Sequence, residues 1–335
     1  MARVSIKDIA SRVGVSNATV SLVLNGKEKE GRIRAEVAEK IRQAAKDLNY
    51  EPNILARSLR MGKSKTIGVI VADISNSFFA SLTFFIQEFA ESYGYAVIIA
   101  NTNESGEKMG KMIQVLKSHQ VDGFIIVPTE DGERYIAELV DSKKLVVLLD
   151  RFFPDLPVSH VVVNNYQASF DATNVLINSG CKRIALLMYD NRLPHMLERQ
   201  RGYEDALKKA GLFDPALVRK IKYESINSDV PLAIDSLLDG EGRIDGIFFA
   251  TSSFATIGMS RLRELKLKIP EELKVASFDK SEAFEFMDIP VPYVQQPIKE
   301  LGRKAVDVLM ELIEQDTNTF TKVELSATLM QHSLK

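Results

Sequence analysis

Cys181 is the only cysteine in the 335-residue chain, so no disulfide framework can hold the protein, and its cysteine usage suits a reducing compartment. It lies just before the apolar run RIALLM and reads as a small packing residue rather than a reactive thiol. Histidine is also scarce: His119, His160, His195 and His332 lie far apart, without the Cys or His-Glu companions of a metal site, and no metal is expected. No stretch approaches the ~20 apolar residues needed to span a bilayer. No apolar segment of signal length stands at the N-terminus either, so a cytoplasmic protein without membrane association is expected. The motifs of nucleotide and hydrolase chemistry are missing. No GxGxxG follows a strand, no GxSxG occurs, and Gly62-Lys63-Ser64 lacks the earlier glycine of a phosphate loop. Neither catalysis nor a cofactor is expected.

What is present is an ordinary soluble composition, 45% hydrophobic and 26% charged, long enough for two or three domains. The net charge of −2 conceals a division. Residues 1–65 hold 14 Lys+Arg against 7 Asp+Glu, and residues 66–335 hold 29 against 38. A basic head is the electrostatic footprint of phosphate binding, and an acidic body limits indiscriminate contact with nucleic acid.

The head carries a helix-turn-helix pattern. Ser5 can cap a first helix through Asp8, and Ile6, Ile9, Ala10 and Val13 share one face before Gly14 breaks it. Ser16 caps a second helix, in which Val20, Val23 and Leu24 face inward while Asn17, Ala18, Ser21, Leu22 and Asn25 stay outside, as a helix in a major groove requires. Apolar residues from Val37 to Leu48 predict a third helix, which Pro52 stops. The run PNILARSLR is too short to be stable alone. Asn53 is a good cap, Ala56 is small enough for two copies to cross, Arg57 and Arg60 add positive charge, and Leu59 suits a wedge between base steps.

From Thr66 onward β-rich runs alternate with helical patterns: TIGVIVA, YAVIIAN, GFIIVP, LVVLLD, HVVVNN, then RIALLM, IDGIFFA and LKVASF. The alternation predicts two doubly wound parallel-sheet lobes with a cleft between them. Ligands bind beyond the carboxyl ends of such strands, which selects Asp73 to Phe79, Asp150, Arg151, Thr251 to Ser253 and Asp279. Asp150 and Asp279 can accept hydroxyl hydrogens, Arg151 and Arg199 offer forked donors, Gln296 does both, and Phe78 or Phe79 can stack on a sugar face. Asp73, Asn76 and Ser252 complete the candidate set, with His195 and Tyr223 as weaker members.

These residues resemble the lactose/galactose-repressor (LacI/GalR) family of transcription regulators along nearly the whole chain. The matching pieces are SIKDIASRVGVSNATVSLVLNG, Tyr50-Glu51-Pro52-Asn53 with Leu55-Ala56-Arg57-Ser58-Leu59, TIGVIVADISNSFF, RQRGYEDAL and QQPIKELG. The resemblance implies a helix-turn-helix head over residues 1–50 and a hinge over 51–65. It also implies a periplasmic-binding-protein-like core, here divided as 66–163 with 294–322 and 164–293 with 323–335. It further implies a homodimeric repressor on a near-palindromic double-stranded operator, released or recruited by a small-molecule effector, a sugar. By resemblance Asn17, Ala18 and Leu22 read bases, while Ser16, Thr19, Ser21, Asn25 and Tyr50 lie near phosphates; Ser5 joins the DNA-facing set. Hinge residues Asn53, Ala56, Arg57, Leu59 and Arg60 are implied in the minor groove. Two departures stand out. Leu22 replaces a frequent Arg and offers a base only apolar contact, and Ser252-Ser253 replaces a frequent Asn-Asp in the cleft. A solute-binding protein without a regulatory role would share the core but has no use for the basic head.

Overall fold

The computed structural model describes residues 4–50, 63–239, 242–287, 289–315 and 320–331. Asn53, Ala56, Arg57, Leu59 and Arg60 lie outside those residues. The chain divides into two compact units, Met1–Ser64 and Lys65–Lys335.

The first unit contains helices α1 (Ile6–Val13), α2 (Asn17–Leu24) and α3 (Ala35–Asp47). Each contributes one apolar stripe to a shared core: Ile9 and Ala10 from α1, Val20 and Val23 from α2, Ala38, Ile41, Ala44 and Ala45 from α3. Gly14 ends α1 in the left-handed region, φ 76°, which a side chain there would strain. The turn then re-aims the chain into α2 at Ser16.

The second unit is two six-stranded sheets. The first runs β11-β5-β4-β3-β1-β2, all parallel. Its strands are β1 (Thr66–Val71), β2 (Ala96–Asn101), β3 (Gly123–Ile126), β4 (Val146–Leu149), β5 (Ser159–Val163) and β11 (Lys322–Leu325). The second runs β12-β10-β9-β8-β6-β7, with β6 (Ile184–Tyr189), β7 (Val218–Ile221), β8 (Gly246–Phe249), β9 (Lys274–Phe278), β10 (Tyr293–Gln295) and β12 (Thr328–Met330). Only its β10–β12 pairing is antiparallel among the described strands. Strands covered on both faces must be apolar throughout, and β3, β4 and β8 are buried at every position. The edge strand β2 is partly exposed along its length.

Helices cover both faces of each sheet. In the first lobe α4 (Ser77–Ser92) and α12 (Ile298–Gln315) pack on one face against Ile67, Val69 and Val71. On the other, α5 (Gly106–Ser118) and α6 (Glu133–Asp141) pack against Ile70, Phe124 and Ile126. In the second lobe α7 (Asn165–Asn178) and α8 (Pro194–Ala210) lie on one face, and α9 (Ile226–Leu238) and α10 (Ser252–Glu264) on the other. The short α11 (Glu282–Phe286) follows β9.

Two expected lobe boundaries move. Val294 and Gln295, expected to begin the return to the first lobe, belong to β10 of the second sheet, because Tyr293 and Val294 pair in parallel with Ser277 and Phe278. Val323 to Leu325, expected in the second lobe, extend the first sheet beside Val161 to Val163.

Candidate functional site

In the head, the residues expected to face DNA are organised first by local hydrogen bonds. The Ser5 backbone N–H and hydroxyl both donate to Asp8 Oδ2, at 2.8 and 2.7 Å, and these bonds hold the Asp8 carboxyl below its ordinary value. Ser16 Oγ accepts from the Thr19 N–H at 3.1 Å and lies 2.9 Å from the Thr19 hydroxyl, so the cap also fixes Thr19. Asn25 Nδ2 donates to the Ser21 carbonyl at 2.6 Å. Asn17, Ala18 and Asn25 are exposed. Leu22, expected outside, is half-buried: a Cβ on Gly31 would come within 2.7 Å of Leu22 Cδ1, so the loop after α2 lies against this side chain. Tyr50 is half-buried against the head core.

In the core, strand ends from both lobes converge as the parallel topology requires. Asp150 directly follows β4 and Asp279 directly follows β9, and both hold left-handed backbones, φ 67° and 70°. The strain is matched by identical anchoring: Asp150 N–H donates to Val161 in the next strand, and Asp279 N–H to Val294, each at 2.9 Å. These are equivalent corners of two similar lobes, each placing a carboxylate at the cleft, Asp150 buried and Asp279 half-buried. Burial raises both pKa values, that of Asp279 to about 6, against the opposing pull of Arg199; Arg151 opposes the rise at Asp150 most strongly.

The two arginines are already engaged. Arg151 Nη1 and Nη2 donate to the two carboxylate oxygens of Glu104, both at 2.7 Å, and Nη1 also reaches the Pro128 carbonyl at 3.3 Å. Burial works against the Arg151 charge, but the Glu104 carboxylate more than restores it. Arg199 Nε donates to Asn165 Oδ1 and Nη1 to the Ala250 carbonyl, each at 2.8 Å, with the guanidinium 3.4 Å above the Phe278 ring. Burial lowers its pKa to about 10.

Gln296 Nε2 donates to Asp279 Oδ1 at 2.8 Å, which leaves Gln296 Oε1 buried without a partner. Asp150 Oδ1, Arg151 Nε, Thr251 Oγ1 and His195 Nδ1 are likewise buried without a hydrogen bond, Arg151 Nε lying 3.5 Å from Asp150 Oδ2 as an ion pair. Burial first, and then the two arginines, hold the His195 imidazole well below its ordinary pKa and therefore neutral. Hydrogen bonds cross the cleft from lobe to lobe. Tyr223 Oη donates to Asp73 Oδ2 at 2.9 Å, Asn76 Nδ2 to Ser253 Oγ at 3.2 Å, and the Arg192 N–H to Glu130 Oε1 at 3.1 Å.

The enclosed space is a cavity of about 40 Å³, and the residues around it include Asp73, Asn76, Phe78, Phe79, Asp150, Arg151, Arg199, Asp279 and Gln296. An outer chamber of about 450 Å³ shares Glu104, Arg151, Tyr189, His195 and Tyr223 with it. Phe78 and Phe79 meet edge to face, 5.0 Å between centroids. Ser252 does not line this cavity. It faces a wider groove between α4 and the start of α12, and its neighbour Thr251 takes the place in the cavity wall. Sequence reasoning missed Glu104 and Tyr189. Glu104 lies just past the end of β2 and Tyr189 is the last residue of β6, so the same strand-end rule, extended to TNES and LLMY, would have found them.

Residues 5–53 match the sequence profile of bacterial regulatory proteins of the lacI family. Residues 64–333 match that of periplasmic binding proteins and the sugar-binding domain of the LacI family. The ribose operon repressor of Haemophilus influenzae is 28% identical over 325 residues, which cover 97% of this chain and 96% of that protein. The transcriptional regulator RegA of Clostridium saccharobutylicum is 31% identical over 318 residues, 92% of each chain. In fold, the chain resembles the Lac repressor dimer bound to operator and the anti-inducer ONPF, with a TM-score of 0.82 at 21% identity over 98% of both chains. No described helix is long and apolar enough to cross a membrane.

Proposed function

Because the chain belongs to the LacI family of bacterial regulatory proteins, we propose that it is a repressor whose homodimer binds a pseudo-palindromic operator and responds to a sugar in its core. The family consists of transcription regulators; we assign this member no catalytic step, no cofactor and a place in the cytoplasm. The observation that carries the reading is one chain joining a helix-turn-helix head to a two-lobed core with polar strand ends converging in its cleft. We assign base contacts to Asn17, Ala18 and Leu22, and phosphate contacts to Ser16, Thr19, Ser21, Asn25 and Tyr50, with Ser5 beside them. To Asn53, Ala56, Arg57, Leu59 and Arg60 we assign the minor groove. The exposure of Asn17, Ala18 and Asn25 supports this assignment. The effector set is Asp73, Asn76, Phe78, Phe79, Asp150, Arg151, Arg199, Asp279 and Gln296, with Thr251 in place of Ser252.

Effector binding can move operator affinity only through different affinity for two states of the protein. Selection of bound sequences from random DNA tests the DNA half, with two half-sites about one helical turn, ~10 bp, apart as the expected product. A single asymmetric half-site would count against it. Operator titration with and without candidate sugars tests the other half. A solute carrier without regulatory role is disfavoured by the head, which would be idle in it.

A further inference from the structure

We propose that the cleft takes an uncharged polyol and discriminates against anionic sugars, phosphorylated or oxidised to acids; this rests on the sugar-sensing reading above and narrows it. An anionic group in a buried site needs a cation with uncommitted donors. The cavity holds two guanidinium groups, and most of their nitrogens are already engaged by the protein. Glu104 takes both terminal nitrogens of Arg151, while Arg199 is held by Asn165, the Ala250 carbonyl and the Phe278 ring. Against these two cations stand four carboxyl groups in the cavity wall, Asp73, Glu104, Asp150 and Asp279. The outer chamber adds Arg192 and Lys222, but also Glu130, Asp190 and Glu224, so an acidic substituent projecting outward meets no excess of positive charge.

The unpartnered atoms describe the ligand from the other side. Asp150 Oδ1 and Gln296 Oε1 are acceptors and Arg151 Nε is a donor, while Thr251 Oγ1 and, according to its tautomer, the neutral His195 Nδ1 can do either. A matching molecule brings more hydrogens than lone pairs to these positions, which several hydroxyls do and a phosphate or carboxylate does not. Glu104 is the residue that sets this preference. It consumes the forked donor that an anion would otherwise use.

The test is calorimetric titration of the full chain against matched sets: D-ribose with ribose 5-phosphate, D-glucose with glucose 6-phosphate and glucuronate, D-galactose with galacturonate. The expected result is that at least one neutral sugar binds, and that its anionic counterparts bind at least tenfold more weakly. A smaller ratio, or a preference for the anion, would overturn the charge selection and leave the sugar-sensing reading standing. No binding by any member of the sets would overturn that reading itself. Glu104→Gln, checked for folding by circular dichroism, is expected to narrow the neutral-to-anion ratio at least tenfold, and an unchanged ratio would remove Glu104 from this role. Should the variant not fold, the ratio measured on the unaltered chain decides.

Discussion

Asp279 is poised between charge states in a way that the sequence could not disclose. Its place after LKVASF made it a candidate, and so did the equivalent place of Asp150 after LVVLLD; both are strand-end positions that an alternating pattern locates. The left-handed backbones and the partial or full burial come from the folded surroundings, as does the engagement of Arg151 by Glu104, a residue that only the loop after β2 brings near. Burial lifts the Asp279 carboxyl from 3.8 to about 6. Between those values the folded chain holds a proton that the unfolded chain has released, so this group's contribution weakens folding as pH rises through the window. Above it the cost is on the order of 3 kcal/mol at most, taking about 1.4 kcal/mol per pKa unit. Asp279→Asn keeps an oxygen for Gln296 Nε2 and removes the titration. In urea denaturation of the ligand-free protein, the variant is expected to match the parent near pH 4 and exceed it increasingly towards pH 7. A constant difference across that range would exclude Asp279 as the source.

Elements were legible where burial alone dictates their composition. Continuous apolar runs located β1, β3, β4, β8 and β9, and the spacing of Ile9, Val20, Val23 and Ile41 located the three head helices. The strands that carry the chain back between lobes were not legible. β10, β11 and β12 are three or four residues long, and the latter two are each exposed at two positions, so only pairing with β9, β5 and β10 assigns them to a sheet. Close helix contact is another feature that composition hides. Gly202 lies in α8 where a Cβ would run into the α7 backbone at the Tyr166 carbonyl and, at 2.9 Å, the Phe170 nitrogen. Backbone cannot yield as a side-chain tip can. Next to it Tyr203, buried, donates its hydroxyl to the Ile184 carbonyl at 2.6 Å, tying α8 to the first strand of its sheet. Gly202→Ala is expected to separate the two helices and cost about 1–3 kcal/mol of stability, the range for overpacked interiors. Chemical denaturation of the variant measures this directly, and a loss below about 0.5 kcal/mol would mean that the contact relaxes freely.

At the scale of the whole molecule, the division of charge separates the two binding events. Operator binding by a head with twice as many basic as acidic residues releases counterions and must weaken steeply with salt, whereas an uncharged ligand in the acidic body has no counterions to release. The two equilibria remain tied by linkage: the factor by which effector changes operator affinity equals the factor by which operator changes effector affinity. The cross-cleft hydrogen bonds are where this factor can be adjusted without touching the head. Tyr223→Phe removes the donor to Asp73 and keeps the ring beside Tyr189, their centroids 6.1 Å apart. A hydrogen bond to a charged group contributes about 1.5–3 kcal/mol, so the closed arrangement of the lobes loses up to roughly a hundredfold in relative population. An effector that needs the closed cleft then binds more weakly in proportion to the closed fraction lost. The expected outcome is weaker effector binding by Tyr223→Phe, an altered coupling factor, and the same factor measured from either ligand. Unchanged effector affinity and coupling would show that the Tyr223–Asp73 bond does not bias the two states. The head itself is untouched by this substitution, so the salt slope of operator binding without effector should remain that of the parent, which separates a loss of coupling from a loss of DNA recognition.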